Sequence, residues 1–123
     1  MIARMRTGNI TTGVRLRVVL APGVAIGPGK ADLLEGIRDT GSISAAGRRM
    51  KMSYKRAWTL VDSMNRWYAD PLVESEKGGA HGGGAKLTAQ GEAVLAAYRR
   101  MEAAAAAGAE ADVAALRVGL EPN

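Results

Sequence analysis

The residues with the clearest chemical potential form a cationic run that begins at Ser53. Hydroxyl, phenol, ammonium and guanidinium groups follow one another there, in Ser53, Tyr54, Lys55 and Arg56. If this run opens a helix, helical spacing extends its outward face through Trp58, Thr59, Asp62, Ser63 and Arg66. Because the major groove of DNA admits a helix, such groups could bind phosphates and base edges there.

The charge of the chain is unevenly distributed. Its 123 residues carry 17 Lys and Arg against 12 Asp and Glu, and the pI is about 10.0. Residues 47–68 hold six cations and one carboxylate, a net charge of +5, whereas residues 88–123 have a net charge of −2. A charge run alone is more typical of a solvated helix face. A DNA-binding role therefore depends on the elements around the run.

The cationic run lies in the second of two consecutive helices that each have a candidate N-cap. Alternating apolar residues over 14–20 predict a half-buried strand, followed by a Pro- and Gly-rich connection. Helical spacing begins after residue 29 and ends at Gly41. Ser42 and Ser44 are both candidate N-caps of a short second helix that reaches about residue 50. Ser53 caps a third helix that continues to about residue 67.

The rest of the pattern completes a winged helix-turn-helix. The third helix has an inward apolar stripe of Ala57, Leu60, Val61 and Met64, with Tyr68 as a further candidate. Strand-like residues 72–76 and 85–87 flank a glycine-rich loop and predict a hairpin. Thr88 caps a fourth helix, whereas the Ala-rich residues beyond Gly108 predict a low-complexity or frayed helix. The predicted fold class is α+β, mainly α with a small β wing.

We divide the chain into three parts. Residues 1–12 lack periodicity and are expected to form a flexible arm. Residues 13–100 are expected to form the winged helix-turn-helix DNA-binding domain with its dimerisation helix, and residues 101–123 an Ala-rich helix extension or tail. The apolar residues 14–25 are interrupted by Arg, Pro and Gly, so they predict neither a signal peptide nor a membrane span. A cytoplasmic location is expected.

An enzymatic, metal-binding or nucleotide-binding function is not predicted. The chain has no Cys, and its single histidine, His81, has no partner for a metal site or a catalytic pair. Carboxylates at helical spacing, such as Asp32 and Glu35, are explained by a solvated face. Gly79 and Gly84 have the spacing of a phosphate loop, but the Lys and Thr that follow are not contiguous. No cofactor and no metal are expected.

Five short motifs stand out between residues 26 and 88. They are Ile-Gly-Pro-Gly-Lys-Ala-Asp-Leu-Leu-Glu at residues 26–35, Thr-Gly-Ser-Ile-Ser-Ala-Ala at 40–46, Ser-Tyr-Lys-Arg-Ala-Trp at 53–58, Asp-Ser-Met-Asn at 62–65 and Gly-Gly-Gly-Ala-Lys-Leu-Thr at 82–88. Together they resemble the N-terminal domain of the ModE family of molybdate-responsive transcription regulators, which is related to the LysR-type regulators. The resemblance covers about residues 14–100. It implies that residues 76–86 are the wing and that the recognition helix includes Ser53, Tyr54, Lys55, Trp58 and Thr59.

We predict DNA contacts in the second and third helices and in the wing. The candidates are Ser42, Ser44, Ser53, Tyr54, Lys55, Arg56, Trp58, Thr59, Arg66, Lys77 and Lys86. Tyr54 and Trp58 have an alternative role as core aromatics, because an indole ring is costly to expose. The turn between helices two and three carries Lys51, where a glycine is common.

The expected partners are double-stranded DNA and a second copy of the chain. A homodimer would bind a palindromic operator, with helix four and the N-terminal strand as its contact surfaces, because the stripe of Val94, Tyr98 and Met101 extends past one small core. The alternative is an interaction module that docks on a separate molybdate-sensing subunit. DNA binding predicts steep salt dependence, and protein docking predicts little. In ModE, Mop domains follow this domain, and this chain ends where they would begin, so we expect it not to bind molybdate by itself.

Overall fold

A computed structural model describes residues 11–76 and 84–122 of the chain. The elements in these ranges are, in chain order, β1 (Val18–Ala21), β2 (Val24–Ile26), α1 (Pro28–Thr40), α2 (Ile43–Arg49), α3 (Tyr54–Met64), β3 (Val73–Glu76), β4 (Gly84–Leu87) and α4 (Ala89–Arg117). β1 pairs with β2 and β3 pairs with β4, both antiparallel. The predicted α+β winged helix-turn-helix is confirmed.

The N-terminal strand is shorter than the alternation over residues 14–20 predicted, and it has a partner. β1 turns back at Gly23, which has a φ of 79°, and pairs with β2. Residues 24–26 were expected to belong to the connection, because a run of three apolar residues is too short to show a period. Ile26 of β2 is buried in the core, so this hairpin is attached to the helices.

Local capping determines where the first three helices begin and end. α1 carries Pro28 in its first turn and ends at Gly41, whose φ of 73° is the left-handed conformation that glycine favours. The Ser42 hydroxyl accepts a hydrogen bond from the Ala45 N–H, and the Ser53 hydroxyl accepts one from the Arg56 N–H. Ser42 is therefore the N-cap of α2, and the other candidate, Ser44, lies inside that helix.

The core lies between the three short helices, the base of the wing and the first part of α4. Its largest fully buried side chains are Tyr98, Ile26, Leu33, Leu34, Ile37, Met64, Leu72 and Val61. Of the inward stripe predicted for α3, Ala57, Val61 and Met64 are buried, and Leu60 is half-buried against the core. Tyr68 follows the end of α3 and is 39% exposed, so its inclusion in that stripe was wrong.

The fourth helix continues to Arg117 without a break, so the prediction of a low-complexity or frayed segment after Gly108 was wrong. The Thr88 hydroxyl accepts a hydrogen bond from the Gly91 N–H and caps the helix as expected. The run of alanines that weakens the amphipathic pattern also has the highest helix propensity of any residue type, which explains the continuity. Only Gly91, Leu95 and Tyr98 are buried within this helix.

Two contacts tie α4 to the N-terminal half of the chain. The Tyr98 hydroxyl donates a hydrogen bond of 2.6 Å to the Leu16 carbonyl. The Arg99 guanidinium contacts Asp32 at 2.8 Å and Glu35 at 3.0 Å on α1, and it also pairs with Glu102. These carboxylates hold the pKa of Arg99 above its ordinary value against the opposing effect of burial. The first turns of α4 are therefore fixed to α1 and to the segment before β1.

Gly91 allows α4 to begin directly against the wing, because a Cβ at this position would lie 2.1 Å from the Leu72 carbonyl oxygen. We expect Gly91→Ala to lower the free energy of unfolding by about 3 kcal/mol, since backbone must move to make room. Gly108→Ala is the matched control on the same helix, where a Cβ meets nothing within 4 Å. It should raise stability by about 0.5–1 kcal/mol. Urea denaturation of both variants measures the difference, and equal effects would contradict the close approach.

Tyr98 makes the stability of the fold depend on alkaline pH. Burial, with a smaller contribution from Glu102, raises its pKa to about 12, whereas an unfolded tyrosine titrates near 10. The contribution of the Tyr98 hydroxyl to the free energy of unfolding is therefore complete below about pH 10 and is lost as the pH rises to about 12. Between these values we expect the wild-type chain to lose about 2 kcal/mol relative to Tyr98→Phe, measured by urea denaturation at each pH. Parallel pH profiles for the two proteins would show that this hydroxyl is not protected.

Candidate nucleic-acid interface

The position of α3 relative to the wing is set by one side chain. The Asn65 amide oxygen accepts hydrogen bonds from the Leu72 N–H at 2.9 Å and the Val73 N–H at 3.0 Å, and its amide nitrogen donates to the Val73 carbonyl at 3.0 Å. Asn65 directly follows α3, so it joins the end of that helix to the first strand of the wing. This role of Asn65 could not be predicted, because no local sequence pattern indicates a hydrogen bond to a residue seven positions away.

The second strand of the wing is fixed at its base by α1. The Ala85 N–H donates to the Gly41 carbonyl at 2.9 Å, and a Cβ on Gly84 would lie 2.8 Å from that same oxygen. The wing thus leaves the domain at the point where α1 ends and α2 begins. The wing candidate Lys77 and the glycine-rich tip with His81 lie outside the described residues.

The first turn of α3 presents cations to solvent. Lys55 and Arg56 are exposed, as is Lys51 in the preceding turn, and none of them pairs with an acidic side chain in residues 11–76 or 84–122. On the opposite side of the helix, Ala57 is fully buried. The separation of cationic and apolar faces on this helix therefore agrees with its predicted spacing.

Tyr54 and Trp58 lie one turn apart on the exposed side of α3. Their ring centroids are 6.1 Å apart at an interplanar angle of 70°, an edge-to-face arrangement. The side chains are 59% and 38% exposed, so neither is a core aromatic. Both rings line a shallow depression together with Lys55, Thr59 and Asp62.

Other candidate residues already have partners within the chain. Arg66 pairs with Asp62 at 2.6 Å, and Lys86 of β4 lies 3.6 Å from Glu74 of β3. The Thr59 hydroxyl donates to the Lys55 carbonyl at 2.8 Å. Because these ion pairs are exposed, each contributes at most about 1 kcal/mol and can be exchanged for a phosphate contact.

The three candidate serines serve first as local acceptors. Ser42 and Ser53 are the N-caps of α2 and α3, and the Ser44 hydroxyl accepts a hydrogen bond from Arg48 at 2.9 Å. Ser53 is exposed and directly precedes the cationic turn, whereas Ser42 and Ser44 are half-buried. The structure thus brings Ser53 together with Tyr54, Lys55 and Arg56, and places the other two at the start of α2.

The turn between α2 and α3 holds Lys51 in the left-handed conformation, with a φ of 58°. Backbone bonds impose this geometry: the Lys51 N–H donates to the Arg48 carbonyl and the Met52 N–H donates to the Gly47 carbonyl, both at 3.0 Å. The turn therefore has the backbone conformation that a glycine would adopt, at a cost of about 1 kcal/mol for the lysine.

The helix-turn-helix and the base of its wing coincide with a known sequence family. The family described as bacterial regulatory helix-turn-helix protein, lysR family, matches residues 31–92, which is half of the chain. The chain belongs to this LysR family. Within the matched region, α3 is the second helix of the helix-turn-helix. The match extends through the wing to the first turn of α4.

The chain is similar to curated proteins whose names refer to molybdenum or to ModE. The molybdenum-pterin-binding protein MopB of Rhodobacter capsulatus is 48% identical over 99 residues, which are 80% of this chain and 36% of MopB. The molybdenum transport protein ModE of Azotobacter vinelandii is 41% identical over 65% of this chain and 30% of its own length. The transcriptional regulator ModE of Haemophilus influenzae is 37% identical over 74% of this chain and 36% of its own length. The chain spans about a third of the length of these relatives.

The described residues contain neither a candidate metal centre nor a candidate membrane span. Within residues 11–76 and 84–122, no cluster of three or more His, Asp or Glu side chains could hold a metal ion. Over the same residues, no helix is long and apolar enough to cross a membrane.

Proposed function

We propose that this chain is a sequence-specific DNA-binding transcription regulator of the ModE type, with α3 as the recognition helix. The observation that carries the proposal is the cationic first turn of α3, in which Lys55 and Arg56 are exposed and lack an acidic partner among the described residues. A recognition helix reads bases through its N-terminal residues while nearby cations neutralise phosphates. The names of the curated ModE relatives agree with this function.

The distribution of charge supports one orientation on DNA. Lys51, Lys55 and Arg56 lie in the turn and at the start of α3, whereas Arg99 is surrounded by three carboxylates where α4 meets α1. These carboxylates neutralise the Arg99 guanidinium, so this part of α4 offers less unpaired positive charge than the first turn of α3. A polyanion is attracted more strongly to the first turn of α3, so we place that turn against the DNA.

We also propose that two copies bind together on a palindromic operator. Leu20 of β1, 48% exposed, and Tyr68, 39% exposed, line a groove with Val94 and Met101 of α4. Such exposed apolar groups on adjoining elements are typical of an interface. Tyr98 is not part of it, because its side chain is fully buried in the core of its own copy; the prediction that placed Tyr98 on the dimer surface was wrong.

Lys55→Ala and Arg56→Ala test the recognition helix. Each should weaken binding to duplexes that the wild-type chain selects from a random library. Loss of a phosphate contact lowers the salt slope by about one and affects all sequences alike, whereas loss of a base contact relaxes specificity at one position by about 1–3 kcal/mol. Fluorescence anisotropy at several salt concentrations measures both effects.

The matched control for this experiment is Arg100→Ala, which removes an exposed cation from α4. It should leave the salt slope unchanged, because Arg100 lies on α4 and outside the proposed recognition helix. Wild-type affinity in both α3 variants, together with a flat salt dependence, would instead favour the alternative function, docking on a separate effector-sensing protein.

Leu20→Asp tests the dimer, because an aspartate in the apolar groove would be desolvated on association. We expect sedimentation at micromolar concentration to show a dimer for the wild-type chain and a monomer for this variant. Val19→Asp is the matched control: Val19 is the adjacent residue, is 59% exposed and does not line the groove. A monomeric wild-type chain, or dimers in both variants, would contradict this interface.

A further inference from the structure

The recognition helix carries an apolar surface that phosphate binding does not explain. Tyr54, Trp58 and Thr59 line the depression on α3 together with Lys55 and Asp62. The rings of Tyr54 and Trp58 are both exposed. Large aromatic side chains are usually buried, so an exposed pair on a cationic helix indicates a binding surface. Lys55 and Arg56 supply the charge for DNA, whereas the aromatic pair, although predicted to contact DNA, carries no charge with which to bind phosphate.

Thr59 adds to the apolar character of this surface. Its hydroxyl proton is already donated to the Lys55 carbonyl at 2.8 Å, so the side chain has no free proton to donate to a base. Its methyl group remains. Thr59 is exposed and lines the same depression, so it extends the surface of the aromatic pair by one further apolar group.

Major-groove base edges offer hydrogen-bonding groups and one apolar group, the C5-methyl of thymine. We propose that Tyr54, Trp58 and Thr59 form a thymine-methyl-reading surface, which makes these residues determinants of operator specificity. This inference rests on the proposed function, because it requires that α3 lies in the major groove. The edge-to-face rings hold each other in place, so little side-chain entropy is lost when a methyl group packs against them.

The test removes only the methyl group. Duplexes are first selected from a random-sequence library with the full wild-type chain, and each thymine of the selected site is then replaced in turn by uracil. Uracil keeps the hydrogen-bonding edges of thymine and lacks the C5-methyl. We expect at least one position in each half-site to lose affinity by about fourfold, the effect of withdrawing one methyl-sized group from an apolar contact.

Protein variants locate the surface that reads the methyl. Tyr54→Ala and Trp58→Ala should bind the thymine and uracil duplexes equally at that position, because the contact no longer exists. Val19→Ala is the control: it removes an exposed hydrophobic side chain that lines neither the depression nor the apolar groove, and it should keep the fourfold preference for thymine.

The outcomes separate this inference from the function on which it rests. Selective binding with no thymine-to-uracil effect at any position would overturn the methyl-reading surface and leave the regulator proposal intact. A thymine preference that persists in both aromatic variants would overturn the assignment to these residues. If the library yields no preferred sequence at all, the proposed function fails and the inference fails with it.

Discussion

The close packing of α1, α2 and α3, which two glycines make possible, is the constraint on which the rest of the domain depends. A Cβ on Gly36 of α1 would lie 3.0 Å from the Ala46 Cβ on α2, and one on Gly47 of α2 would lie 3.0 Å from the Ala57 Cβ on α3. α2 is thus held at short range on both sides by small residues. With Ala57 fully buried at this contact, the rotation of α3 about its own axis is determined, and with it the set of side chains that face solvent.

The same packing explains how cations and aromatics come to share one exposed face. All six cations in residues 47–68 are exposed, because the inward-facing residues of α2 and α3 are small or aliphatic. Arg49 is paired with Asp39, and its hydrogen bond, with a further one from Arg38, lowers the pKa of that carboxyl. Positive charge at the end of α2 is therefore partly neutralised, while that at the start of α3 is not.

Local chemistry could be predicted from the sequence, and contacts between distant residues could not. Ser42, Ser53 and Thr88 were identified as caps because a cap acts within three residues of itself. The hydrogen bonds of Asn65 to the first wing strand and of Tyr98 to the Leu16 carbonyl join distant segments. No periodic pattern in the sequence indicates that these segments meet. Lys51 was noticed as an unusual turn residue, but its left-handed backbone follows from bonds to Gly47 and Arg48 that only the folded turn reveals. The exposure of Trp58 likewise depended on the rotation of α3.

The length of α4 has a mechanical consequence. Its 29 residues make a rod of about 43 Å, and its last fully buried residue is Tyr98, within the first half. With the pivot at Tyr98, the part of the helix beyond it is an arm of about 28 Å, and a tilt of about 10° displaces its far end by roughly 5 Å. A small change of angle at this pivot is thus amplified along α4 into a much larger movement at its C-terminal end.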